Sequence, residues 1–336
     1  MKFSRKLLWP LNPFYYWGAL TIKKMYDWNI FKSQTYNFPL ITVGNLSVGG
    51  TGKSPFVAYL IDILQNEKRI ATLSRGYKRS TTGFQLANTN STALEIGDEP
   101  LQFKTTYPNI TVAVDAERRN GINQLRKLKP KPEVIILDDA FQHRKVTAGL
   151  QILLTTHYNL YPDDCMLPSG DLREPISAAA RATIIVVTKC PLNLSDHLQQ
   201  KIITKLNPLA HQSVYFTGIA YAETVHSNTS KLNLEKFTEN TFCLVTGIAN
   251  PTPLVNHLNE LEATFVHLNF PDHHVFSDRE IKKISSHQFI LTTQKDFMRL
   301  KDIEILKEKL FYLPIKVKFL NNEAAFKQQI NAIVSS

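Results

Sequence analysis

"VGNLSVGGTGKSPF", Val43 to Phe56, ends in Gly-Lys-Ser, the close of a phosphate-binding loop. A strict G-x-x-x-x-G-K-[ST] spacing puts Ser47 where the first glycine would stand. What surrounds the stretch decides its reading. "FPLITV" (38–43) reads as a buried strand leading in, and "PFVAYLIDILQ" (55–65) has helical spacing leading out. Pro55 suits the first turn of a helix, where its missing N–H has no intrahelical partner to lose. A glycine loop between a strand and a helix points backbone N–H groups and the positive end of the helix dipole at an anion. Val48, Gly49, Gly50, Thr51 and Gly52 are expected to wrap the phosphates. Lys53 would supply a positive charge there, and Ser54 a hydroxyl for Mg²⁺. Ser47 would lie at the start of the loop with an ordinary φ.

The rest of the chain extends this unit. Apolar runs "IATLS" (70–74), "ITVAV" (110–114), "EVIIL" (133–137), "LQILLT" (150–155) and "ATIIVVT" (182–188) alternate with helical stretches. Nearly continuous Val/Ile/Leu strands of this kind indicate a parallel sheet covered on both faces. The expected fold is α/β: a P-loop NTPase-type sheet domain over 37–215, a polar linker over 216–240 and a smaller α/β domain over 241–336. The last includes "KLFYLPIKVKFL" (309–320) as one strand.

The 336 residues suffice for two cores, and 43% hydrophobic with 20% charged residues excludes a disordered chain. A net charge of +10 favours an acidic partner. Three distant cysteines exclude a disulfide framework and a CxxC zinc site, and suggest a reducing compartment. No RNA-recognition or zinc-knuckle signature accompanies the charge, so nucleic acid is not expected.

Residues 1–36 form a separate segment. The first acidic residue is Asp27, and 16 uncharged residues separate Lys6 from Lys23. As a helix these would reach about 24 Å, short of the roughly 30 Å hydrocarbon core. Trp9, Phe14, Tyr15, Tyr16 and Trp17, bracketed by lysines, suit the headgroup region. A helix lying on a membrane surface is expected; a cleaved signal peptide is not.

Charged residues gather after the strands. "LDDAFQHR" places Asp138 and Asp139 at a buried strand end, where two adjacent carboxylates call for a cation. "SRGYKR" brings Arg75, "DAERRNG" brings Arg118, and "LPSGDLREP" brings Arg173 and Glu174 to what would be one ligand crevice. Asp98 in "EIGDEP" either caps a helix or accepts a proton as a general base. In "FPDHH", His273 and His274 would point to opposite sides, so one of them would face a cleft.

In their order, "VGNLSVGGTGKSP", "SRGYKR", "GDEP", "LDDAFQHR", "LPSGDLREP", "TGIANP", "FPDHH" and "TTQKD" resemble the tetraacyldisaccharide 4′-kinase family of Gram-negative bacteria. The resemblance runs from the N-terminal segment to about residue 300. It implies transfer of the ATP γ-phosphate to the 4′-hydroxyl of an acylated glucosamine disaccharide 1-phosphate. ATP and Mg²⁺ are the implied cofactors, and the cytoplasmic face of the inner membrane the implied place of work, with no protein partner. It also implies Asp98 as catalytic base with His273 as its hydrogen-bonded partner, and Asp138 and Asp139 at the metal and phosphates. Arg75, Arg118, Gln142, Arg173, Glu174 and His274 would be further active-site candidates. Ala140-Phe141 stands where Gly-Leu is common, Lys78 for Gly, Asp171 for Pro and Gln294 for Glu. A soluble ATPase or GTPase switch is the rival reading; it leaves the aromatic segment and "FPDHH" without a task, and no guanine-selective N-K-x-D is evident.

Overall fold

The computed structural model describes residue 10, residues 12–272 and residues 274–335. Lys6, Trp9 and His273 lie outside the described residues. Helix α1 (Asn12–Asp27) precedes strand β1 (Leu40–Asn45), the glycine loop and helix α2 (Lys53–Leu64). Then follow β2 (Ile70–Ser74), β3 (Gln85–Leu86), α3 (Ala93–Ile96), α4 (Asp98–Thr106), β4 (Thr111–Val114), α5 (Arg118–Leu125) and β5 (Val134–Asp138). Next come β6 (Leu150–Thr156), β7 (Ile184–Thr188), α6 (Asp196–Leu206) and β8 (Ser213–Tyr221).

A nine-stranded sheet has the order β15-β8-β7-β6-β1-β5-β2-β4-β3, where β15 (Ile315–Phe319) comes from the chain's far end. Its seven inner strands are parallel, and both edge strands run antiparallel to their neighbours. Burial on both faces explains the unbroken apolar runs. Ile41 and Val43 pack with Phe56 and Leu60 of α2, while Leu40 packs on the opposite side with Ile122 and Leu125 of α5. Because the inner strands are parallel, the ends of β1, β5, β2 and β4 open on one edge, and Val43 pairs in register with Asp138.

The smaller sheet has the order β10-β9-β14-β13-β11-β12, built from β9 (Thr224–His226), β10 (Lys231–Asn233), β11 (Phe242–Thr246), β12 (Phe265–Asn269), β13 (Ile290–Thr293) and β14 (Leu310–Leu313). Helices α7 (Leu234–Thr238), α8 (Thr252–Glu260), α9 (Asp278–Ser285) and α10 (Gln294–Leu300) accompany it.

Two stretches depart from the sequence expectation. The polar segment 216–240 is structured: it finishes β8, forms the β9–β10 hairpin and enters α7. Strands β9 and β10 are only three residues each, and β10 is an edge strand, so they carry little apolar pattern. The stretch 309–320 is two strands, since Pro314 separates β14 in the small sheet from β15 in the large one. Pro lacks an N–H for a ladder, so a central strand cannot run through it. The chain thus ends on the large sheet. Helix α11 (Glu323–Val334) buries Phe326 completely among the rings of Phe56, Tyr59, Tyr215 and Phe319.

No helix among the described residues is long and apolar enough to cross a membrane. Helix α1 buries none of its residues, with Phe14 77% and Trp17 63% exposed. Its far end is fixed by Arg144, which donates to Lys23 O (2.9 Å) and Asp27 Oδ1 (2.8 Å) and lies over the Tyr26 ring.

Phe326→Ala removes a ring from the packed aromatic cluster and should cost about 3–5 kcal/mol of stability. Urea unfolding would measure it; a loss below ~1 kcal/mol would mean that α11 is not part of the large sheet's core.

Candidate active site

The glycine loop takes its shape from both ends. Gly52, at φ +86°, turns the chain into α2 in a conformation that side-chain-bearing residues rarely adopt. Ser47 has no positive φ, as expected at the loop's start. Thr188 Oγ1 at the end of β7 donates to Thr51 O (2.7 Å), and Lys189 Nζ to Gly50 O (2.6 Å). On the other side the segment 171–173 pairs with the loop: Val48 N donates to Asp171 O (2.7 Å) and Arg173 N to Leu46 O (2.7 Å).

These contacts sort the loop's amides. Val48 N is committed to Asp171, and Thr51 N to Gly49 O (3.0 Å), so neither is available to phosphate in this conformation, contrary to the sequence expectation. The amides of Gly49, Gly50, Gly52, Lys53 and Ser54 donate to no protein acceptor among the described residues. A run of unpaired N–H groups at a helix N-terminus is an anion site.

Lys53, Arg173 and Asp139 meet beside this loop, with Asn45 between them. Asn45 is fully buried at the end of β1, and its Oδ1 accepts from Arg173 Nη2 (2.6 Å) and Lys53 Nζ (3.3 Å). Asp139 Oδ1 lies 3.0 Å from Arg173 Nη2 and 3.6 Å from Lys53 Nζ. Burial pushes the Asp139 carboxyl up, but the Lys53 and Arg173 charges outweigh it and hold the group below its ordinary range. Asp139 sits at φ +47°, a left-handed conformation that Asp tolerates better than most residues.

Asp138 is 1% exposed, and its Oδ1 has no hydrogen-bond partner among the described residues. Burial, then the charges of Glu99 and Asp139, push its carboxyl well above the ordinary value. Ser54 Oγ donates to Glu99 Oε1 at 2.7 Å, bringing a third carboxylate to the same place. Glu99 is therefore a site residue that sequence reasoning missed, although it lies inside the quoted "GDEP".

An orphaned buried carboxylate oxygen, crowded by two further acids, fits a divalent cation. Among the described residues no three Asp, Glu, His or Cys side chains form a complete cage. That suits Mg²⁺, which takes one or two protein ligands and fills its octahedron with phosphate and water.

Arg118 is 2% exposed under the same cluster. Burial lowers its guanidinium to about 10 while Asp138 and Asp139 pull it upward, and its Nε has no partner among the described residues. Gln142 Nε2 donates to Asn45 O at 2.6 Å, leaving Oε1 buried without a partner among the described residues. Arg75 is exposed near Arg118, whose charge it opposes. Glu174 does not join the cluster. It accepts from Arg181 Nη2 (2.8 Å), which also donates to Phe141 O (3.0 Å), so Glu174 braces the turn carrying Asp139 and Gln142.

Asp98 begins α4 without capping it through its side chain. Arg299 of α10, from the smaller sheet, grips Asp98 Oδ2 through Nη2 (2.6 Å) and Nε (3.2 Å). The guanidinium is itself held by Asp296 Oδ1 (3.1 Å), and Asp296 is fully buried with its Oδ2 accepting from Gly247 N (2.8 Å) and Thr293 Oγ1 (2.8 Å). Arg299 was missed in the sequence. Its signal was the place one helical turn after Asp296 of "TTQKD". His274 is used locally: its ring stacks on Phe270, and Nε2 lies 3.0 Å from Glu280.

Lys78, which stands where the resemblance has a common glycine, has φ +60°. The glycine's usual place is thus a left-handed turn that this chain enters with a side chain.

The sequence matches the family described as tetraacyldisaccharide-1-P 4′-kinase over residues 4–335. A tetraacyldisaccharide 4′-kinase of Flavobacterium johnsoniae is 47% identical, over 98% of this chain and 97% of its own length. One from Bacteroides thetaiotaomicron is 41% identical over 97% and 92%. Among solved structures, an LpxK from Aquifex aeolicus described as an "apo" form in complex with ATP superposes with a TM-score of 0.78. It is 30% identical and covers 98% of this chain and 99% of its own. Glycine loop, paired aspartates and near-complete coverage agree: this chain belongs to the tetraacyldisaccharide-1-P 4′-kinase family.

Proposed function

We propose that the chain transfers the γ-phosphate of ATP to the 4′-hydroxyl of a tetraacylated glucosamine disaccharide 1-phosphate, a step in lipid A synthesis. The observation that carries this is the meeting of Lys53, Arg173 and the orphaned Asp138 beside five unpaired amides of the glycine loop. Positive groups and a cation-hungry carboxylate side by side match a metal-bound polyphosphate, and the loop amides and Asp138 Oδ1 have no protein partner among the described residues.

Mg²⁺, when bound, would supply positive charge against the phosphates. Ser54, Glu99 and Asp138 are the residues to hold it. The amides of Gly49, Gly50, Gly52, Lys53 and Ser54 grip the phosphates, and Lys53 and Arg173 draw the transferred group into line. Asp139 keeps those two cations in position through its ion pairs. Asp98 accepts the proton of the acceptor hydroxyl, and Arg299 holds its carboxylate from the opposite lobe. His273 remains the partner the family resemblance suggests, outside the described residues.

The two sheets act as two lobes of one clamp in this reading: residues 37–215 with the returning C-terminal strand and helix, and the smaller sheet carrying Arg299. Closure between them would exclude water from the transfer. The enzyme works on a lipid as a peripheral membrane protein, and α1 rests at the cytoplasmic surface of the inner membrane. Its exposed Phe14 and Trp17 support this placement.

Incubation with Mg-ATP and the tetraacyldisaccharide 1-phosphate should add the mass of one phosphate to the acceptor, whereas ATP turnover indifferent to that acceptor would favour a switch ATPase. Lys53→Ala should lower the rate about 10³-fold or more, because a preorganised charge at the phosphates is lost; a variant retaining a tenth of the rate would remove Lys53 from the site. Asp98→Ala should depress kcat with little change in ATP affinity. Arg299→Ala should follow it at about 10²-fold, the scale on which misplacing a reacting group acts. Normal kcat in Arg299→Ala would show that the interlobe ion pair plays no part in turnover.

A further inference from the structure

The parallel strands of the large sheet end at the phosphate site and begin at the opposite edge, where a hollow opens. Its volume is about 400 Å³, within the roughly 300–1,000 Å³ typical of small-ligand sites. Arg69 lies just before β2, Thr111 opens β4, and Leu128 and Lys129 precede β5. Leu86 and Ala87 reach the same edge because β3 runs antiparallel to β4. A five-residue strand such as β2 spans about 17 Å, so the sheet itself separates this hollow from the glycine loop.

Its floor is apolar and its rim cationic. Ile70, Ala87 and Ile110 are buried beneath it, while Arg69, Lys104 and Lys129 stand around it with no Asp or Glu among the described lining residues. Arg69 pairs with Glu133 (3.4 Å) outside the lining, and its Nε donates to Lys131 O (3.1 Å). Lys104 Nζ donates only to carbonyls, Pro108 O (2.7 Å) and Ile110 O (3.3 Å). Neither Lys104 nor Lys129 forms an ion pair among the described residues. The loop carrying Lys129 is set in advance. Arg126 lies over the Phe38 ring and donates from Nη1 to Pro132 O (2.7 Å), while Pro130 and Pro132 fix their own φ angles. A loop ordered beforehand pays little to hold a ligand.

A phosphomonoester presents three terminal oxygens to such a rim, where a carboxylate presents two, and Asn109 adds an amide beside the three cations. The floor calls for an apolar body behind the phosphate. We propose that this hollow is a binding site for a small organic phosphate, distinct from the nucleotide site. The aromatic face of α1 sits at the other edge, where Tyr15 donates to Arg173 O (3.4 Å), so the ligand is a soluble molecule and not a lipid head group. Lys104 lies in the last turn of α4, whose first turn carries Asp98 and Glu99. A phosphate held here therefore touches the far end of the helix that reaches the active site.

Lysine acetylation of the full chain, read by peptide mass, tests this with phenyl phosphate as the probe. At about ten times its dissociation constant, phenyl phosphate should slow modification of Lys129 ~10-fold by mass action. Lys127 and Lys131, on the same loop but outside the lining, should react at unchanged rates. Inorganic phosphate and benzoate should each bind about tenfold more weakly, one lacking the apolar body and the other the third oxygen. With the glycine loop disabled by Lys53→Ala, calorimetry should still record the site, weakened about tenfold by Lys104→Met or by Lys129→Gln at its exposed position. Equal protection of Lys127, Lys129 and Lys131 would reduce the effect to diffuse charge and overturn the proposal. So would no protection at about 10 mM phenyl phosphate, or binding that disappears in Lys53→Ala. Protection of Lys129 by phosphatidylglycerol micelles alone would assign the hollow to lipid and overturn it as well.

Discussion

Placing Asp138 at the end of a buried strand, with Asp139 beside it and Glu99 across from it, crowds three carboxyl groups together, and burial with the neighbouring charges pushes the Asp138 carboxyl up. Much of the site's construction answers this constraint. Lys53 and Arg173 are drawn to Asp139, Arg118 is buried below, and Asn45 spaces the two cations through one carboxamide oxygen. The compensation is incomplete, because Asp138 retains an unpartnered oxygen. A buried acid left in that state is unfavourable for stability alone, and under the proposed function an ion arriving with the nucleotide would offset it. In that reading metal and triphosphate would depend on one another, each supplying the charge that the other leaves unbalanced.

Parallel strand order turns this local problem into a functional edge. The loop after β1, the acids at the end of β5 and Arg118 at the start of α5 converge because β1, β5, β2 and β4 follow one another in the sheet and run the same way. Glu174 shows how far the support extends. It touches no member of the charged cluster, yet through Arg181 and the Phe141 carbonyl it braces the turn holding Asp139 in a left-handed conformation. Strain of that kind persists only where the surroundings over-determine it.

The glycine loop and the paired aspartates were legible in the sequence because they depend on local rules: backbone freedom, a strand's end, and repulsion between adjacent charges. Asn45 and Glu99 were hidden for the opposite reason. Each is an ordinary polar residue locally and acquires its role only when two strands and a helix bring it to Lys53 or Ser54. Arg299 was less visible still, since its partner Asp98 lies 201 residues away on another lobe. The break at Pro314 belongs with these. Composition on both sides of it is strand-like, and only the ladder shows that one strand serves the small sheet and the next the large one.

That return of the chain ties the smaller sheet into the large lobe at two places. One is β8, which runs out of the large sheet and leads into β9; the other is β14, which passes through Pro314 into β15. Two adjacent crossings permit a hinge but restrain free rotation. Away from them, Arg299 reaches back to Asp98, and Gln294 Nε2 donates to Thr106 Oγ1 at 2.9 Å, so both ends of α4 are contacted by α10. Motion of the small lobe is thereby transmitted to the helix whose first turn carries Asp98 and Glu99. An acceptor that settles between the lobes and a nucleotide that orders the loop would act on the same helix from its two sides. Under the proposed function such shared contact would couple their binding without any further element in between.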